Sequence, residues 1–423
     1  MSVKSIFLLK SVKDFIYMFI SNLVKKGLGF LREIILAFFF GSSILYANYL
    51  LLKIVTDFFS QLTLGNALQA NLMPKFAKLY EKEASVDLSS VFDFSKYFSL
   101  KLFILSQIIQ IPMIWYINPE RIEIYILLSA LLGVVMSMNF FNSIFLTILQ
   151  AKGNFKQHSV ATTLNLSIST FLLYPFTLLF GVLGVVVSRL SGILALALIY
   201  VKPLITEKGD VKANLSISDF NFSIMILGNF ANVIMLLSRF VAGTDGSNNI
   251  VFYTYAIVFL NIFFTAVVMN INTLVLKIIS LKKDYRVILI SALISAIIGG
   301  VFILVISLFS AEIISFAFER GAFTANDTLM TSSYIKDISW SFIFIFIAST
   351  LFQPYFTLPQ TYLNKTSKYL AIPFIVSILL LLLYFYINNQ GVRFNSLVMI
   401  YIMSFVSFVL SINAFIKYYR HEN

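Results

Sequence analysis

The chain has 423 residues, of which 59% are hydrophobic and only 12% are charged, and its formal net charge is +12. Soluble domains carry roughly 25% charged residues, so this composition predicts an integral membrane protein and excludes an ordinary soluble enzyme. The sequence contains no cysteine, which excludes disulfides, thiolate metal sites and a cysteine nucleophile.

Apolar stretches long enough to cross a bilayer, which takes about 20 residues of helix, recur along the whole chain. We therefore predict an all-α polytopic membrane protein with about 12 transmembrane helices. The predicted spans lie near 15–40, 46–73, 97–117, 124–150, 157–181, 182–202, 220–241, 250–276, 286–310, 335–358, 369–388 and 394–416.

The basic residues are distributed unevenly between the two ends of these spans. If the N-terminus is cytoplasmic, the outside loops hold only Arg121, Arg320 and Arg393, and the other basic residues near span ends face the cytoplasm. The positive-inside rule then predicts that both termini are cytoplasmic. The basic excess follows from topology, so it does not indicate a nucleic-acid partner.

The polar stretch 203–219 divides the chain almost evenly. We interpret it as a linker between two pseudo-symmetric six-helix lobes, residues 1–208 and 209–423. The exit of span two, ALQANLMPKFAKLYEKE, is weakly related to the exit of span eight, NINTLVLKIISLKKD, about 200 residues later. Repeats of this kind are typical of transporters, with the substrate site near mid-membrane between the halves.

The first span carries four charges, Lys25, Lys26, Arg32 and Glu33. On a helix they occupy one wedge of about 120°, with Gly29 at its centre. A charge at the bilayer centre costs on the order of 2.5–3.5 kcal/mol, so such residues usually face a watery interior. Mutual neutralisation of Arg32 and Glu33 is disfavoured because i,i+1 neighbours do not face each other. The wedge therefore predicts a cavity that receives an anion.

Further polar residues inside the spans have two interpretations each. Lys53 and Asp57, at i and i+4, form either an ion pair that holds their helix or part of a substrate site. Arg239 lies near the end of span seven and faces either a cavity or the interface. Asn261 shares a face of span eight with Thr265, and such residues either join helices or line the cavity.

The sequence contains none of the common catalytic or nucleotide-binding motifs, such as GxSxG, a Walker loop, HExxH or an Asp-rich metal motif. We therefore expect no enzymatic activity, no cofactor and no metal. Uphill transport would depend on an ion gradient, the membrane potential or a partner protein.

Several segments resemble the MurJ/MviN lipid II flippases. The segment VKKGLGFLREIILAFFFGSS (24–43) is similar to the family's first-helix pattern (S/T)RxLGFxRD. FERGAFTANDTLM (318–330) resembles FxRGAFTxxDT, and SRFVAGTDGSNNIVFYTYA (238–256) resembles the segment around spans seven and eight. The resemblance implies the multidrug/oligosaccharidyl-lipid/polysaccharide (MOP) exporter fold, with two six-helix lobes and alternating access.

The resemblance also suggests roles for individual residues. Arg32 matches the family's cavity arginine, Glu33 matches the acid that follows it, and Arg239 matches the arginine of the span-seven pattern. Lys26 stands where the family has an earlier arginine, which keeps the charge but loses the bidentate fork.

The chain also departs from the family pattern. Ser60 stands where span two of the family carries an arginine, and Ala47 stands where an aspartate is usual after span one. Val258 and Asn261 replace an arginine and a glutamate of span eight.

The resemblance implies a flippase of the bacterial inner membrane whose substrate is an undecaprenyl-diphosphate-linked saccharide, either lipid II-like or a surface-polysaccharide repeat unit. The diphosphate would lie against Lys26 and Arg32, with help from Lys25, Lys53 and Arg239. Expected partners are the lipid-linked saccharide, membrane lipids, a coupling cation or the membrane potential, and proteins of cell-envelope biosynthesis.

Three alternatives remain open from the sequence. A cation-coupled exporter of small amphiphiles commonly takes cationic substrates, which the cationic wedge disfavours. A membrane-embedded glycan polymerase or transferase usually needs charged residues on sizeable outer loops, and the longest one here is 310–334. A relative that acts as a scaffold without transport is the third.

Overall fold

The computed structural model describes residues 3–63, 66–82, 85–117, 122–206, 209, 211–272, 275, 279, 285–388 and 390–422. Nearly all of them are helical, which confirms the all-α prediction. The helices are α1 (Val3–Phe40), α2 (Ile44–Thr63), α3 (Asn66–Lys82), α4 (Ser89–Ile117), α5 (Ile122–Ala151), α6 (Phe155–Phe171), α7 (Leu173–Phe180), α8 (Val182–Leu196), α9 (Lys202–Thr206), α10 (Phe222–Gly228), α11 (Phe230–Ala242), α12 (Asn249–Phe263), α13 (Tyr285–Leu308), α14 (Ser310–Phe318), α15 (Ala325–Ile338), α16 (Ser341–Phe352), α17 (Gln360–Ile387) and α18 (Val392–Glu422). The two short strands are β1 (Val86–Asp87) and β2 (Val211–Lys212).

The chain is a multi-pass membrane protein. Within the described residues, eight helices are long and apolar enough to cross a bilayer, and ten spans result if each of two bent helix pairs counts as one. The bent pairs are α10 with α11, at 76°, and α15 with the helical stretch Ser341–Thr357, at 53°. The first two predicted spans correspond to α1 and α2, which are helical but are not among the eight.

The chain divides into two compact units. Unit 1 consists of Met1–Ile35 and Val55–Asn221, and unit 2 consists of Leu36–Ile54 and Phe222–Asn423. The end of α1 and the first half of α2 therefore belong to unit 2, although they precede the predicted boundary at residue 208.

Unit 1 is built around apolar side chains of α3, α5 and the segments that follow them. Gly192 on α8 allows a close approach to α6, because a Cβ at this position would lie 2.3 Å from the Asn165 carbonyl oxygen. The buried cluster includes Leu72, Phe76, Val91, Met136, Phe140, Ile144, Phe145, Ile148, Leu196 and Leu204.

The polar segment after α9 contacts earlier parts of unit 1 at two places. β1 pairs with β2 in parallel, with Val86 opposite Val211. Further along the segment, the Lys75 ammonium on α3 lies 2.7 Å from the Asp219 carboxylate. These contacts fix the predicted linker against the end of α3.

In unit 2, α16 packs against α13 and α18, and α11 also packs against α18. Buried hydrogen bonds join α16 to the end of the span that begins with α12, Asn249–Asn272. The Asn272 side-chain amide donates to Ser349 Oγ at 3.1 Å, and Thr350 Oγ1 donates to Asn272 Oδ1 at 2.8 Å. Asn272 thus joins the end of this span to α16.

The turn between α1 and α2 packs against the loop before α15, and we call this junction, Phe38–Ser42 with Gly321–Asp327, the clasp. The Ala322 N–H donates to the Phe38 carbonyl at 2.8 Å, and Ser42 Oγ donates to the Asp327 carboxylate at 2.6 Å. The other Asp327 oxygen accepts from the Thr324 N–H, which forms a capping box at the start of α15.

Two glycines make the clasp possible. Gly41 and Gly321 have φ of +49° and +60°, a region that L side chains avoid. A Cβ at Gly41 would lie 2.2 Å from the Ala322 carbonyl oxygen, and a Cβ at Gly321 would lie 2.4 Å from that of Phe38. The motif FERGAFTANDT, the most specific part of the resemblance, therefore has a packing role in unit 2.

Candidate functional site

The charged wedge of α1 has two edges with different surroundings. One edge packs on α6. Ser21 Oγ lies 2.6 Å from Thr163 Oγ1 and donates to the Ser159 carbonyl at 3.1 Å, and Lys25 Nζ donates to Thr162 Oγ1 at 3.3 Å. Because 3.6 residues make one helical turn, this edge continues along α1 from Lys25 to Arg32.

Arg32 is the buried charge of the wedge. Only 9% of its surface is exposed, whereas Lys25 is partly buried and Lys26 is exposed. A buried guanidinium carries five donors and no acceptor, so it is suited to a group with several negatively charged oxygens.

The other edge of the wedge is open. Lys26 is exposed, Glu33 is partly buried, and a Cβ added at Gly27 or Gly29 would meet nothing within 4 Å. The helix therefore has room beside its cations. The predicted wedge is present on a continuous helix, with Lys25 and Arg32 at its packed edge, Gly29 at its centre, and Glu33 and Lys26 at its open edge.

Asp57 on α2 has a partner that the sequence analysis missed. Its carboxylate lies 3.7 Å from the guanidinium of Arg189 on α8, and both side chains are largely buried. Arg189 is the single charged residue in the apolar helix α8, a feature that could have drawn attention to it. Lys53, one turn before Asp57, is also partly buried.

Arg239 and Asn261 lie in unit 2. Arg239 is partly buried in the last turn of α11, where its Nε donates to the Met235 carbonyl at 3.2 Å. Asn261 lies on α12 directly before a π-helical turn, Phe264–Val268, and such turns are frequent at functional sites. Its side-chain oxygen is buried, and within the described part of the chain no hydrogen bond reaches it.

The eight predicted site residues thus fall into two groups. Lys25, Lys26, Arg32, Glu33 and Asp57 belong to unit 1, and Lys53, Arg239 and Asn261 belong to unit 2.

A further polar cluster in unit 2 joins α15 to α18. The Arg393 guanidinium contacts the Asp337 carboxylate at 2.5 Å and lies 4.8 Å from the centre of the Tyr334 ring. Tyr401 donates to the Asp337 carbonyl at 2.9 Å. These contacts give Asp337 a structural role. Metal-ligating side chains do not cluster anywhere in the described ranges.

No family model and no curated protein matches the sequence. Solved structures do match it in fold. The chain superposes on a structure of the lipid II flippase MurJ, in an inward closed conformation, with a TM-score of 0.74 and 19% identity. The match covers 95% of this chain and 90% of that chain.

Other transporters of the MOP superfamily are also similar. An inward-facing multidrug resistance MATE family transporter matches with a TM-score of 0.61 at 15% identity, over 96% of this chain and 94% of that one. A MOP superfamily transporter from Pyrococcus furiosus, described as having a binding pocket of reverse polarity, matches with a TM-score of 0.52 at 15% identity, over 98% and 94%. The chain therefore has the MOP exporter fold, which confirms the fold predicted from the resemblance.

Proposed function

We propose that this chain, with the fold of the MOP exporters, is a flippase that moves an undecaprenyl-diphosphate-linked saccharide across the bacterial inner membrane by alternating access. The observation that carries the proposal is Arg32, a buried arginine on the membrane helix α1 with Lys25 and Lys26 beside it. Both termini are cytoplasmic in this proposal, and residues 1–208 and 209–423 form its two lobes.

The charge of the α1 wedge favours an anionic cargo. Three cations and one acid lie within about two turns, and a diphosphate that leaves water needs donors to replace its hydration shell. The guanidinium of Arg32 and the ammonium groups of Lys25 and Lys26 supply such donors. The open space beside Gly29, at the centre of the wedge, leaves room for a bulky headgroup.

A second candidate is export of small amphiphiles, because MATE family transporters share the fold. Multidrug substrates are commonly cationic, and the excess positive charge of the wedge would repel them. We therefore place the flippase first.

The test replaces Arg32 in purified protein reconstituted in proteoliposomes with a fluorescent polyprenyl-diphosphate saccharide. Arg32→Ala should reduce flipping at least about tenfold, because a hydrogen bond to a charged group contributes about 1.5–3 kcal/mol. Arg32→Lys should retain part of the activity, since the charge stays and the fork geometry is lost.

The matched control is Arg320→Ala. Arg320 is an exposed arginine whose guanidinium donates to the Phe316 carbonyl in the preceding turn of the same segment, so its removal should leave flipping unchanged. Full activity of Arg32→Ala would contradict the anion site on α1. Transport of an organic cation, with no movement of the lipid-linked saccharide, would favour the second candidate.

A further inference from the structure

A groove of about 340 Å³ runs between α1 and α6 in unit 1. This volume lies in the range of roughly 300–1,000 Å³ that is typical of ligand sites. Its lining consists of Ser21, Val24, Ser159, Val160, Thr163, Leu164 and Ser167.

The polar groups of the groove are turned toward one another. Ser21 Oγ shares a hydrogen bond of 2.6 Å with Thr163 Oγ1 and also donates to the Ser159 carbonyl. This pairing holds α1 against α6 and leaves Val24 and Val160 as accessible walls, with 43% and 44% of their surfaces exposed. The groove is therefore suited to a slender apolar chain.

The cations Lys25 and Lys26 of the α1 wedge lie beside the groove. Lys25 follows Val24 directly and donates to Thr162, the neighbour of the lining residue Thr163. Lys26, the next residue, is exposed. A ligand that fills the groove with its apolar part would place an anionic end group next to two ammonium groups.

We propose that the α1–α6 groove binds the first isoprene units of a polyprenyl diphosphate, with the diphosphate at Lys25 and Lys26. The inference rests on the proposed function, because it takes the lipid-linked diphosphate as the substrate. It adds a second contact region for that substrate, on the apolar side of the anion site. An ordinary phospholipid also combines apolar chains with phosphate, and the experiment separates the two.

The first experiment attaches a benzophenone maleimide to a single cysteine in the groove of the full-length reconstituted protein. Val160→Cys is the groove position, and Ile104→Cys on α4, with 50% of the Ile104 surface exposed, is the matched control on another apolar face. The sequence contains no cysteine, so each variant carries one label. The probe is a radiolabelled polyprenyl diphosphate.

Irradiation should crosslink the probe at position 160 several-fold more than at position 104. Unlabelled polyprenyl diphosphate should abolish this excess, and the same concentration of phosphatidylglycerol should not. Equal labelling at both positions, or equal competition by phosphatidylglycerol, would overturn the inference.

The second experiment fills the groove. Leu164→Trp should weaken apparent affinity for the long-chain substrate about tenfold, equivalent to about 1.4 kcal/mol of lost apolar contact. Methyl diphosphate, which has no isoprene unit to place in the groove, should lose much less, and Ile104→Trp should change the affinity for neither compound. An equal loss for the polyprenyl diphosphate and for methyl diphosphate would indicate general damage at the site and would contradict the inference.

Failures of the two proposals can be told apart. If the wild-type protein flips the saccharide but the label at position 160 is not competed, the groove assignment is wrong and the flippase proposal stands. If the label is competed by the diphosphate lipid and no flipping occurs, the groove assignment stands and the flippase proposal is wrong.

Discussion

Charged side chains inside the predicted spans have surroundings that suggest different roles. Asp57 and Arg189 lie within 3.7 Å of each other, so their charges offset one another in the span. Arg32 is buried on the same helix as an exposed Lys26. The first pair therefore has a structural role, and in the proposed function the α1 cations contact the substrate.

The Asp57–Arg189 pair should behave as a unit when either partner is removed. Asp57→Leu or Arg189→Met alone leaves one charge without its counter-charge and should destabilise the protein by on the order of 2 kcal/mol. That loss lies between the losses typical of exposed and of fully buried ion pairs, because both side chains are partly exposed. The double substitution should recover most of the loss, measured by thermal unfolding in detergent.

A parallel cycle with Lys53→Met tests the ion pair predicted within α2. If Lys53→Met restores stability to Asp57→Leu as well as Arg189→Met does, both cations share the carboxylate. A double variant of Asp57 and Arg189 that is as unstable as the sum of its singles would show that the two residues do not interact.

Sequence patterns identified the α1 cations but could not identify the ion pair between Asp57 and Arg189. Four charges on one helix face are visible in the residue order, since helical spacing alone groups Lys25, Lys26 and Arg32. The proximity of Asp57 and Arg189 depends on how α2 and α8 pack, and the two residues are far apart in the chain. No local pattern encodes that contact.

At the level of elements, α3 and the segment before α10 are joined by Lys75 and Asp219. Burial alone would raise the pKa of Asp219. The hydrogen bonds from Lys75 and from the Ser216 backbone outweigh that effect and hold the pKa below its ordinary value. The folded protein therefore binds this proton less readily than the unfolded chain does.

The lowered pKa sets the direction of a pH dependence. The stabilising contribution is complete above the unfolded pKa of about 3.9 and is lost as the pH falls through the lower folded value. Asp219→Asn should remove this contribution to the decrease in the free energy of unfolding at low pH. The contribution is at most about 1 kcal/mol for a partly exposed pair. Unfolding midpoints between pH 6 and pH 3 measure it.

The control for this prediction is Asp93→Asn, an exposed carboxylate on α4. Its unfolding midpoint should fall with pH as in the wild-type protein. If Asp219→Asn and the wild-type protein show the same acid dependence, the contact with Lys75 contributes nothing to stability.

The apolar pattern predicted the position of long helices well and their interruptions poorly. The predicted span 124–150 corresponds to α5, Ile122–Ala151, because a continuous apolar run has one outcome in a bilayer. The predicted span 220–241 contains a 76° bend at Asn229, where the Asn229 amide donates to the Met225 carbonyl at 3.1 Å. Hydropathy is averaged over many residues, so it does not detect a single local hydrogen bond of this kind.

For the whole molecule, the orientation in the membrane follows from the distribution of basic residues and remains a prediction. Single cysteines at Asn326 and Ser218, both exposed, should report opposite sides. In intact spheroplasts an impermeant thiol reagent should label position 326, in the first turn of α15, and should label position 218 only after permeabilisation. Labelling of position 218 alone in intact cells would reverse the orientation.

The chain passes from one unit to the other three times, after residues 35, 54 and 221. Two of these passages lie inside the helices α1 and α2 and only one lies in a polar segment. A division predicted from the linker alone could detect only the last passage, because the first two interrupt no hydrophobic pattern.

The two glycines of the clasp are constrained by the fold, whereas the proposed role of the α1 charges depends on the substrate. At Gly41 and Gly321 the obstacle to a side chain is the opposing backbone, so no rearrangement of neighbouring side chains could accommodate a substitution. We therefore expect proteins with this fold to keep both glycines, whichever substrate they transport. In the proposed function the charges of α1 contact the cargo, so a change of cargo would change these charges and not the clasp. Descendants that acquired a new substrate would still carry the old motif, so their ancestry would be easier to recognise than their specificity.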